Sequence, residues 1–190
     1  MAHVNSLDWD SLQPIWVQGN GQFDDKQYIY NYGSKIQASY GNNGASMNAY
    51  VKGVARQGFK IQFYLGYTWG FSTFYMANQS VISQTGPSSG NYANAGVNGI
   101  HFMNNNSNNV LYVDKNVNGT VTRIVNTTGI PNDRLVTLWR DASNVVKFRV
   151  GSGTEITVGT FTDTFVFGST LQSPASVELI MAMNLQASAS

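Results

Sequence analysis

The chain has 190 residues, of which 42% are apolar and 11% charged, with a formal net charge of +1. That is enough apolar material for a core, while the near-zero charge, with 11 Lys and Arg scattered along the chain, excludes a long-range pull on nucleic acid or an anionic membrane surface. The absence of cysteine excludes disulfides and thiolate metal sites, and no apolar run approaches the ~20 residues of a membrane-spanning helix.

Residues 1–45 are the least regular part. Trp9, Ile15, Trp16 and Val17 stand as apolar anchors among Asp8, Asp10 and Pro14, and Gly19-Asn20-Gly21 marks a turn. QYIYNY, residues 27–32, predicts a strand with Tyr28, Tyr30 and Tyr32 on one face, and 35–40 predicts another. Met47 to Val54 reads as a strand broken by Arg56-Gln57-Gly58. Phe59, Ile61, Phe63 and Leu65 then alternate with polar residues. Such alternation makes a half-buried strand, because successive side chains face opposite sides. Gly66 to Gly70 is a glycine-bounded aromatic turn, followed by a long aromatic and β-branched run over 71–82. Residues 84–99 form a long loop, of the length usually functional or mobile. Strands are expected at 100–103, 110–114 and 120–126, with Asn104 to Asn109 as a connector too polar to bury and Asn118-Gly119 as a hairpin turn.

Residues 135–168 carry the clearest pattern. Val136 and Leu138 face one way and Thr137 and Trp139 the other; after the turn at 141–144, Val146, Phe148 and Val150 oppose Lys147 and Arg149. Gly151-Ser152-Gly153 is a second turn, after which Ile156 and Val158 continue the buried face and Glu155 and Thr157 face out. Ser176 to Leu185, apolar on both faces, predicts a central strand beside an early one, and 186–190 a frayed tail. With no helical periodicity and a turn signal every 8–12 residues or so, the whole chain, 1–190, is expected to be one all-β domain: an antiparallel two-sheet β-sandwich of jelly-roll type.

Over residues 100–183 the succession Gly99-Ile100-His101-Phe102, Val117-Asn118-Gly119, Val136 to Arg140, Val146 to Val150, Phe165-Val166-Phe167-Gly168 and Val177 to Met183 resembles the concanavalin-like and laminin-G-like jelly rolls. The Asp-Gly or Asn-Gly of that pattern after Val150 is replaced by Gly151-Ser152-Gly153. The resemblance implies carbohydrate or protein binding for most members and glycoside hydrolysis for some. The hydrolase branch carries a Glu-x-Asp-x-x-Glu motif that is missing here, where Glu155 and Glu178 lie far apart. No catalytic activity is therefore expected.

Tyr67, Trp69 and Phe71, beside Gly66 and Gly70, offer flat aromatic faces for a sugar ring or a partner chain, or pack into a core or subunit interface. Asp114-x-Asn116-x-Asn118-Gly119 matches the start of a calcium loop, but its twelfth position is Val125 rather than Glu, and the preferred reading is a polar hairpin with an Asn-Gly turn. No other cofactor is implied. Asp8, Asp10, Asp24 and Asp25 form either a cation site or a solvated segment. His3 and His101 make no catalytic or zinc constellation, and His101, opposite in phase to Ile100 and Phe102, is expected to face outward.

Charged residues fall well below the usual ~25%, so solubility rests on Asn, Ser, Thr, Gln and Gly, as in proteins that work outside cells. The N-terminal MAHVNSLDWDSLQ does not read as a secretory signal. A fragment of a secreted protein, export without a signal, or release by lysis each fit. By elimination the expected function is a non-enzymatic virion surface protein, of a bacteriophage by preference (decoration, spike or fibre head). It would be homo-oligomeric, meet other virion proteins or a cell-surface glycan, and bind neither nucleic acid nor the membrane interior. The alternative is a carbohydrate-binding module or lectin domain of a secreted protein.

Overall fold

In this computed structural model residues 16–18, 29–31, 35–38, 46–51, 53–66, 71–81, 92–105, 110–128, 134–172 and 176–186 are described. Alternation governs their architecture. One sheet, the front sheet, has the order β12 (Ile156–Thr160), β11 (Val145–Val150), β10 (Arg134–Arg140), β5 (Phe59–Gly66), β14 (Ser176–Met183), β3 (Lys35–Ala38), β2 (Ile29–Asn31). The back sheet runs β1 (Trp16–Gln18), β4 (Ser46–Val51), β13 (Val166–Gln172), β6 (Phe71–Ala77), β7 (Gly99–Asn105), β8 (Val110–Val117), β9 (Thr120–Thr128). Neighbouring strands in both are antiparallel. The expected two-sheet sandwich is the fold observed, and β14 lies between β5 and the early β3 as its sequence predicts.

The core fills the space between the sheets. Phe59, Ile61, Phe63 and Leu65 of β5, Val136 and Leu138 of β10, and Val146 and Phe148 of β11 are buried from the front. Phe74, Ile100, Phe102, Val113 and Phe167 meet them from the back. Phe63 stacks on Phe74 at 3.9 Å between ring centroids and meets Phe102 edge-on at 5.4 Å, and Phe102 meets Phe148 edge-on at 5.1 Å. These rings bind one sheet to the other through apolar burial and through favourable edge-to-face geometry.

The structure corrects several expectations. β6 stops at Ala77, where Asn78 and Gln79 bend away, rather than at residue 82. Asn104 is not part of an exposed connector: it sits in β7 and is buried. His101 does point away from Ile100 and Phe102, yet it is fully buried, because the segment 92–98 covers the outer face of the back sheet. There Tyr75, Ala77, Val81, Tyr92 and Val97 make a second, smaller apolar cluster. β14 is central as expected, and its outer residues Ile180 and Met183 are 41% and 49% exposed. His3, Asp8, Asp10, Asp24, Asp25, Tyr67 and Trp69 lie outside the described residues, as does the tail from residue 187.

Candidate functional site

The outer face of the front sheet carries a cleft of about 760 Å³. Its floor is written by strand register. Trp139 on β10 stands directly across from Lys147 on β11 and Lys60 on β5, and Lys60 in turn from Met183 on β14. One step along, Thr137 lies between Arg149 and Gln62, and the Gln62 amide donates to the Thr137 hydroxyl at 3.1 Å. Cross-strand neighbours of this kind bring side chains within contact of one another. The rim is made of Arg56, Gln57, Asp141, Ala142, Asn144 and Glu155.

Three local devices fix that rim. The Asp141 carboxylate accepts from the Ser143 and Val145 amides at 2.9 and 3.0 Å, which closes the β10–β11 turn, and Asn144 takes the left-handed φ of 61° that the turn requires. Lys147 bonds Glu155 at 2.9 Å and reaches Asp141 at 4.0 Å, and these two carboxylates hold its ammonium above the ordinary lysine range. Arg140 is buried and aims inward. It donates to the carbonyls of Ala55, Gln57, Phe161 and Asp163, and its guanidinium lies 5.1 Å from the Phe165 ring centre. Burial lowers its pKa, and Asp163 opposes that shift. Arg140 thus ties the segment 53–58, one wall of the cleft, to the segment 161–165.

Sequence reasoning passed over Trp139 as a site, although the signal was there. A large aromatic ring stood on the strand phase otherwise held by Thr137, Lys147 and Arg149. A half-buried indole in a cleft that mixes apolar and polar lining offers an apolar plane beside hydrogen-bonding groups, the surface that fits the C–H face and the hydroxyl rim of a sugar ring.

The calcium-loop residues are placed elsewhere, on the back sheet. Asp114 on β8 is buried and paired through both oxygens with Arg123 on β9, at 2.9 and 3.2 Å. That pair raises the Arg123 pKa, and the guanidinium lies 4.0 Å from the Tyr112 ring centre. Asn116 donates its amide to the Tyr92 carbonyl. Asn118, at φ 51°, forms the β8–β9 turn with Gly119, and its side-chain oxygen accepts from the Gly96 amide at 2.9 Å. The oxygens of Asp114 and Asn118 face protein donors, while the buried side-chain oxygen of Asn116 meets none. Among the described residues, no three His, Asp or Glu side chains gather into a metal-binding group. Of the aromatic candidates, Phe71 opens β6 across from Asn105, at the far end of the connector from β5.

No protein-family model and no curated protein matches the sequence. Solved structures match in fold. The carbohydrate-binding module CBM66 from Bacillus subtilis superimposes with a TM-score of 0.52 at 11% identity, covering 90% of this chain and 94% of that one. The VIP36 exoplasmic/lumenal domain in its Ca2+/Man3GlcNAc-bound form gives 0.56 at 11% identity, over 93% and 85%. A protein of unknown function with a galectin-like fold, also from Bacillus subtilis, gives 0.54 at 14% identity, over 90% and 89%. At these identities the likeness is one of fold: the lectin-type jelly roll that the strand and turn pattern of residues 100–183 resembles.

Proposed function

We propose that the protein is a non-catalytic glycan-binding β-sandwich and that a saccharide lies in the front-sheet cleft against Trp139. The observation that carries this is the half-buried indole in the cleft, with Lys60 and Lys147 directly across from it on the two neighbouring strands and the Thr137–Gln62 pair one step along. The fold supports the class, since the similar structures include a carbohydrate-binding module and a domain solved with Man3GlcNAc. Binding fits better than hydrolysis. The two acids that line the cleft, Asp141 and Glu155, are both paired with Lys147, and Asp141 also accepts from the Ser143 and Val145 amides, so neither is left free for the acid and nucleophile roles of a glycosidase.

The reading needs no cation. Tyr67, Trp69 and Phe71 stay with it as a proposed second aromatic contact, tested by Trp69→Ala beside Trp139→Ala. The virion setting and the homo-oligomer expected above rest on composition alone, and a solution mass tests the latter.

A glycan array probed with wild type and Trp139→Ala tests the main proposal. Saturable binding to a defined glycan, weakened about tenfold or more by the substitution at unchanged melting temperature, is expected from the loss of a stacked ring. Binding to no glycan, or equal binding by both proteins, would refute it.

A further inference from the structure

This step rests on the glycan reading and narrows it. Charge in the cleft is not balanced. The two acids on its rim, Asp141 and Glu155, are both engaged by Lys147, and Asp141 also by two turn amides. Arg140 is turned inward and occupied by main-chain carbonyls. That leaves Arg56, Lys60 and Arg149, all exposed and lining the same cleft, with no ion pair to any described residue.

Their positions matter as much as their number. Lys60 stands directly across from Trp139, and Arg149 across from Thr137, one residue pair along the same face. A cross-strand diagonal neighbour lies roughly 7–8 Å away. A ring stacked on the indole therefore has an ammonium on one side and a guanidinium near one edge. Carboxylates and sulfates bind such groups through short charge-assisted hydrogen bonds, and Arg does so in bidentate fashion. The chain as a whole carries only +1, so this local excess is a property of the cleft and not of the protein surface at large.

We infer that the cleft takes an anionic saccharide, one whose carboxylate or sulfate lies between Lys60 and Arg149 while its ring rests on Trp139. Both anions share this chemistry, and the test separates them.

The 190-residue chain is titrated by calorimetry with oligogalacturonate, with a sulfated dextran oligosaccharide and with neutral dextran oligosaccharide. Wild type, Trp139→Ala and the double variant Lys60→Gln/Arg149→Gln are compared, each checked by thermal melt. The expected result is that one anionic probe binds at least about tenfold more tightly than the neutral one. The double variant and Trp139→Ala should each cut that affinity about tenfold or more. Raising NaCl from about 50 to 500 mM should weaken binding in wild type more than in the double variant. Which anionic probe wins identifies the anion. If a neutral glycan binds as well as the anionic probes, or if the double variant binds them unchanged, the anionic assignment fails while the glycan reading stands. If the double variant loses binding but Trp139→Ala does not, attraction is non-specific and the stacked-ring assignment fails. If no saccharide binds, here or on the array, both fail.

Discussion

Arg140 makes five hydrogen bonds to main-chain oxygens from the inside of the sandwich rim. Lysine brings three donors on a flexible stem and no planar fork, so it leaves some of those carbonyls unmatched. Arg140→Lys should therefore destabilise, and Arg140→Ala should cost about 3 kcal/mol or more, since buried acceptors are orphaned. For a chain of this size that is a fall in melting temperature of roughly 6–12 °C, readable by calorimetry. His101 sets a pH dependence. It faces Tyr75 on β6 and Asp114 on β8, and its ring lies 5.3 Å from that of Tyr92. Burial first, and the Arg123 cation second, lower its pKa from 6.5 to about 3. Below pH 6.5 the unfolded chain takes up a proton that the native chain refuses. Stability is thus complete above pH 6.5 and declines as pH falls from there toward 3, by at most about 1.4 kcal/mol per pH unit from this group. In His101→Gln the urea midpoint should change less between pH 6.5 and 4 than in wild type; an identical slope would mean that other groups set it. Asp114 gives the third test at this scale. A calcium site a hundredfold above its Kd would add about 2.7 kcal/mol, yet its carboxylate is spent on Arg123. Calcium in place of EDTA should leave the melting temperature unchanged.

Among the elements, the β8–β9 hairpin does more than join two strands. Asn118 and Gly119 adopt φ of 51° and 83°, the mirror-image turn favoured between twisted antiparallel strands. The same turn holds the covering segment 92–98. The Gly96 amide donates to Asn118, the Gly119 amide to the Val97 carbonyl, and the Asn118 amide to the Asn98 side chain. A Cβ at Gly119 would stand 2.7 Å from the Asn94 carbonyl oxygen. Gly119→Ala should loosen the cover without unfolding the sheet, and hydrogen exchange at Gly96 and Asn98 should speed up while the amides of β10 and β11 keep their protection. This is also where reading by periodicity reached its limit. The Asn-Gly turn was legible because its two residue types tolerate positive φ. The burial of His101 was not, since period two tells which face a residue takes and not whether a distant loop covers that face. Tyr92 and Val97 supply the cover from a stretch with no strand pattern of its own.

For the molecule as a whole, the alternation in β5, β10 and β11 was sufficient to predict two sheets packed on their apolar faces, and Phe63 and Phe148 lie in that core with Phe102 from the other sheet. Less of the front-sheet cleft was legible. Trp139 carried a sequence signal, but its neighbours Lys60 and Met183 come from strands 79 and 44 residues away in sequence (139 − 60 and 183 − 139) and are joined to it only by sheet order. The apolar character of β14 marked it correctly as a central strand, while Met183 on its outer face lines the open cleft. Under the proposed function the two faces of the sandwich have different tasks, the back covered by segment 92–98 and the front open for a sugar. Amide and indole NMR shifts followed during titration with a glycan selected on the array test it most directly. The Trp139 indole N–H and the amides of β5, β10 and β11 around it should move together and saturate. Shifts confined to the back sheet and the 92–98 segment, with the Trp139 indole unmoved, would contradict it.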